Sequence, residues 1–112
     1  MSYKIAVIGD ADTVTGFALA GVRHAHIHVS KEETLSKLRS FLMEKDMGLL
    51  LITHRTIDDL GEEFKLLMRA KGVLPVVLAI PDKTGYVPAV DELYELIKRA
   101  VGTKVTEKVG GG

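Results

Sequence analysis

The chain predicts an α/β fold built on a four-stranded, mainly parallel sheet with helices on both faces. Three short, continuous apolar runs, Ile5-Ala6-Val7-Ile8, Leu49-Leu50-Leu51-Ile52 and Val76-Val77-Leu78-Ala79-Ile80, carry the pattern of strands covered on both sides. Between them the apolar spacing changes to the helical period. Strand and helix therefore alternate, and right-handed crossovers distribute the helices over the two faces.

The elements follow in order. After the first strand, Asp12 to Ala20 is a weakly marked helix, because Thr13, Val14 and Thr15 are poor helix formers and Gly16 is worse. Asp12 is positioned to cap it, Gly9 and Gly16 to allow close packing or unusual dihedrals, and Gly21 to end it. In Ala25 to Val29 the apolar Ala25, Ile27 and Val29 alternate with His24, His26 and His28, which puts the two sets on opposite faces. That alternation marks an edge strand and gives the sheet order 2-1-3-4. Ser30 and Glu33 have capping-box spacing ahead of a helix whose stripe is Leu35, Leu38, Phe41 and Leu42. Ile57, Leu60, Phe64, Leu67 and Met68 form the next stripe, predicting one helix that runs through Gly61 and stops at a left-handed Gly72. Pro88 opens a last helix with Val90, Leu93, Tyr94, Ile97 and Val101 on its core side, closed by Gly102. Residues 1–102 thus form one domain. The polar stretch 103–112, ending in three glycines, is expected to be a mobile tail.

A chain of 112 residues buries roughly two thirds of its unfolded surface in a single core. Lysine plus arginine equal aspartate plus glutamate at 15 each, so overall charge does not direct the protein to nucleic acid or anionic lipid. With no cysteine there is no disulfide, thiolate metal site or thiol nucleophile. The start of the chain lacks the pattern of a secretory signal, and the run from Val73 to Ile80 is far shorter than the ~20 residues of a membrane-spanning helix. A cytoplasmic protein without direct membrane insertion is expected.

Parallel sheets bind ligands beyond the carboxyl ends of their strands, which directs attention to Asp10 to Gly16. That loop has neither the glycine spacing of a dinucleotide loop nor the ending of a phosphate loop, and Asp10 and Asp12 would repel a phosphate without a cation between them. The same two aspartates resemble the magnesium-holding pair of response-regulator receiver domains, and Lys83 the receiver lysine. The third strand, however, ends in Ile52-Thr53-His54-Arg55, with no aspartate to accept a phosphoryl group. A free-standing receiver-like binding or signalling module using Asp10 to Gly16 is the alternative reading. Same-face residues of a strand lie ~6.6 Å apart, so His24 and His28, ~13 Å apart, cannot easily share one zinc ion with His26; two adjacent histidines could bind a metal with outside ligands, but no cysteine or nearby acidic residue completes a closed site. The histidine face reads as partner-facing or partly solvated, and His54 as a strand-end residue. No catalytic residue, cofactor or metal is assigned.

The run Ile8-Gly9-Asp10-Ala11-Asp12-Thr13-Val14-Thr15-Gly16-Phe17-Ala18-Leu19-Ala20-Gly21 resembles the opening signature of the F subunit of A/V-type ATPases and ATP synthases. Leu74-Pro75 before the fourth strand, Ile80-Pro81-Asp82-Lys83 with Gly85 after it, and Ile97-Lys98-Arg99-Ala100-Val101-Gly102 at the end of the last helix continue the resemblance in order. It extends over nearly the whole chain and stops before Thr106. The resemblance implies a Rossmann-like body on the coiled-coil D subunit of the central rotor, with a C-terminal part that transiently approaches the A and B subunits of the catalytic head. ATP chemistry would then belong to the A and B subunits, and this chain would be a non-catalytic stalk component, peripheral to the membrane. Candidate partner-interface residues are His24, His26 and His28 on the second strand, Asp82, Lys83 and Tyr86 in the loop after the fourth, and Glu92, Glu95 and Arg99 on the last helix.

Overall fold

The computed structural model describes residues 2–85. Its elements are β1 (Lys4–Gly9), α1 (Ala11–Leu19), β2 (His24–Ile27), α2 (Lys31–Met43), β3 (Met47–Thr53), α3 (His54–Leu60), α4 (Glu62–Ala70) and β4 (Val76–Ile80). The helix expected from Pro88 and the tail 103–112 lie outside the described residues. All strand pairs are parallel and the order is β2-β1-β3-β4, as the alternating histidine strand predicts.

Strand alternation divides the apolar side chains between two cores. On one face Ala6, Ile8, Leu50, Ile52 and Val77 meet Leu35, Leu38 and Phe41 of α2, Leu60 of α3 and Phe64 of α4. On the other, Val7 and Leu51 pack with Val14 of α1. This second face is thinly covered among the described residues: Ile5 and Leu78 have the same parity as Val7 and are 42% and 41% exposed.

Helix starts follow local chemistry. Ser30 accepts a hydrogen bond from the Glu33 amide at 3.3 Å, as its spacing predicts. The cap of α1 is Asp10, not Asp12: Asp10 is extended, and its Oδ2 accepts from the Thr13 amide at 3.1 Å, while Asp12 sits within the first turn. Asp10 wins because the helix begins one residue earlier than the apolar spacing indicates, and that places the capping carboxylate at the strand end. Gly21, at φ 112°, follows the helix as expected.

The third crossover is two helices rather than one. Gly61 adopts φ 63° and ψ −134°, a conformation natural only to glycine, and so ends α3 and begins α4. Both halves keep their stripe on the same core, so periodicity alone does not separate them. Gly72 is not left-handed; α4 ends at Ala70, and its C-cap Lys71 is already extended. At Gly9 an added Cβ would lie 2.6 Å from Thr53 Cγ2, so close packing dictates glycine there. Gly16 has open space around it and no positive φ, and neither reason holds for it.

Candidate functional site: the carboxyl edge of the sheet

The carboxyl ends of β1 and β3 lie side by side at the point where the strand order reverses, the usual ligand position of an open parallel sheet. A cleft of about 150 Å³ opens there, with Asp10, Thr53, Arg55 and Asp82 in its wall and His28 and Asp59 at the β2 side. Small-molecule sites ordinarily run from about 300 to 1,000 Å³, so this one is undersized for a nucleotide.

Its charged groups are engaged with one another. Asp10 Oδ1 accepts from the Thr13 hydroxyl at 2.6 Å in addition to the capping bond. Burial works to raise the Asp10 carboxyl, but the Thr13 hydroxyl and amide outweigh it and hold the group below its ordinary value. The Asp82 side chain is only 5% exposed; its Oδ2 takes Arg55 Nε at 2.8 Å and its Oδ1 the Thr84 amide at 2.9 Å. Arg55 Nη2 also donates to Thr84 Oγ1 at 3.1 Å. On the rim, Lys83 Nζ donates to Asp12 Oδ2 at 2.7 Å, and this bond raises the lysine pKa. Beneath them the Thr53 and Thr56 hydroxyls share a 2.6 Å bond, with Thr53 also capping α3. Together these contacts fasten the segment after β4 to the ends of β1 and β3.

Several sequence-predicted residues are therefore assembled here, in roles other than chemistry. Asp10 and Asp12 do not form a free acidic pair, because each is committed to a different hydrogen-bond donor. His54 follows β3 directly but is 2% exposed and is not part of the cleft wall. Its Nδ1 is buried without a hydrogen-bond partner, and burial lowers its pKa, with Asp58 opposing the shift.

His24 and His26 of β2, and His28 just past its end, are half-buried on the side of the strand that faces α2. His24 meets the Phe41 ring edge-on at 6.5 Å, and His26 and His28 both reach the Thr34 hydroxyl. Of the remaining candidates, Asp82 is turned inward and Lys83 outward, whereas Tyr86, Glu92, Glu95 and Arg99 lie outside the described residues. Sequence reasoning did not single out Arg55, Asp59 or Thr34. Arg55 had a signal in its position just past the end of a central strand; Thr34 had none, being a threonine in an amphipathic helix.

Among the described residues no helix is long and apolar enough to cross a membrane. The family model described as ATP synthase (F/14-kDa) subunit matches residues 5–97. The chain is 40% identical over 106 residues to the F subunit of the A-type ATP synthase of Pyrococcus furiosus, covering 91% of this chain and 97% of that one. It is 37% identical over 110 residues to the corresponding F subunit of Methanothermobacter thermautotrophicus, covering 96% and 100%. Its fold is similar to the crystal structure of the F subunit of the V-type ATP synthase from Archaeoglobus fulgidus, with a TM-score of 0.59 at 25% identity, covering 71% of this chain and 99% of that one. Sequence and fold thus agree over essentially the full length of these relatives, and the chain belongs to the ATP synthase (F/14-kDa) subunit family, as an F subunit of the A/V type.

Proposed function

We propose that this F subunit is a non-catalytic part of the central stalk, gripping the coiled-coil D subunit and coupling ATP turnover in the head to ion translocation. The observation that carries the reading is family membership over nearly the whole chain. The carboxyl edge supports it, because Asp12, Asp82, Arg55 and Lys83 are used to fasten the fold to itself. The body would sit on the D subunit, and the C-terminal part would approach the A and B subunits transiently. Lys83, with Tyr86, Glu92, Glu95 and Arg99, is the proposed contact region, on the cytoplasmic side and peripheral to the membrane.

The test compares ATP hydrolysis by the purified chain, by a head-and-stalk complex lacking it, and by the complete complex. We expect background hydrolysis from the chain alone and a change in the rate or ion coupling of the complex when the chain is added. ATP turnover by the chain itself, lost in Asp10→Ala with folding retained, would instead favour a ligand site at residues 10–16.

A further inference from the structure

The carboxyl edge of β2 carries a cluster that the stalk assignment does not use. His28 Nε2 lies 3.1 Å from Asp59 Oδ2 of α3, and His28 Nδ1 lies 2.7 Å from the hydroxyl of Thr34 on α2. The same hydroxyl lies 3.2 Å from His26 Nε2. Thr34 is fully buried, so no water completes its bonding, and the three partners must satisfy one another.

Donor and acceptor capacity then fixes the direction of every bond. An ionised Asp59 only accepts, so His28 Nε2 carries a hydrogen. A neutral His28 therefore has a bare Nδ1, which accepts from the Thr34 hydroxyl. The Thr34 oxygen in turn accepts from His26 Nε2–H. We propose that His26, Thr34, His28 and Asp59 form a directed hydrogen-bond chain that clasps the edge strand to α2 and α3, shares a single added proton between the two histidines, and releases the strand when a second proton is forced in.

Protons balance at each stage. One proton from solvent at His26 Nδ1 leaves the network intact. Passing the charge to His28 breaks His26 Nε2–H, forms and breaks O–H at Thr34, and forms Nδ1–H on His28; His26 is left neutral with its hydrogen on Nδ1. Both singly charged forms keep the three hydrogen bonds of the network. With both rings charged, the Thr34 oxygen faces two N–H donors and its own hydrogen has no acceptor among the partners. His28 faces Asp59 of α3 and, across the cleft, Asp10, Asp82 and Arg55. His26 faces Lys37 and Glu33 of α2 and His28 of its own strand, and burial, then Lys37, holds its pKa below the ordinary histidine value against the opposing Glu33. Release would be felt at the end of β2, where the His28 amide donates to Gly9 O at 2.8 Å.

Nitrogen-15 NMR of the histidine rings in the whole protein, followed through a pH titration, tests this directly. At the basic end both rings should carry hydrogen on Nε2. On acidification they should titrate in two linked steps separated by about one pH unit or more, with faster exchange of the His28 amide at the second. Thr34→Val should collapse the separation toward two independent curves, and Thr34→Ser should restore it. Coulombic repulsion alone would leave the separation unchanged in Thr34→Val, and that result overturns the proposal. So does a wild-type His28 that carries its hydrogen on Nδ1 at the basic end, a measurement that needs no variant to fold.

Discussion

Gly9 and His54 show how tightly single positions are specified at the ends of the central strands. An alanine methyl at position 9 would meet Thr53 Cγ2 at 2.6 Å, and Thr53 is itself 1% exposed and held by Thr56, so it has nowhere to move. We expect Gly9→Ala to lower stability by about 1–3 kcal/mol in a denaturant titration. His54 is the opposite case, a buried polar ring with an orphaned Nδ1. Its pKa is lowered from 6.5 by burial, so the unfolded chain binds the proton more readily than the folded one. Its stabilising contribution is full above 6.5 and is lost as pH falls from there through the folded-state value. His54→Leu should therefore add about 1 kcal/mol at pH 7 by removing an unsatisfied group, and should flatten the decline of thermal stability below pH 6.5. An unchanged acid slope would assign that decline to other groups.

Among the elements, the third crossover is the most instructive. Gly61 has free space where a side chain would go, yet its φ of 63° combined with ψ of −134° lies outside the regions open to L-residues. Helix propensity alone would make Gly61→Ala favourable, whereas the structure requires the break between α3 and α4. We expect Gly61→Ala to destabilise by about 1–2 kcal/mol; a stabilised variant would mean that the two helices can fuse. The strands, their order and most helix faces are legible in the sequence because period-2 and period-3.6 patterns report burial, which is what fixes those elements. The break at Gly61 is not legible, since a stripe continues across it. The site divides in the same way. Asp10, Asp12, Asp82 and Lys83 stand out by type and position, but Lys83 pairs with Asp12 across 71 residues and Arg55 with Asp82 across 27, and no local pattern encodes such pairings.

For the whole molecule, one sheet carries α2, α3 and α4 against one face and α1 against the other, and its carboxyl edge is braced by ion pairs. In the proposed stalk role, that construction would serve as a body that keeps its shape rather than one that opens and closes around a substrate. The central claim is that this body grips the coiled-coil component of the stalk. The direct measurement is a calorimetric titration of the purified chain into the coiled-coil D subunit, repeated with a chain ending at Gly102. We expect a saturable one-to-one complex with equal affinity for the two forms, which would locate the grip within residues 1–102. Absence of heat and of any complex by mass for both forms would contradict the stalk assignment.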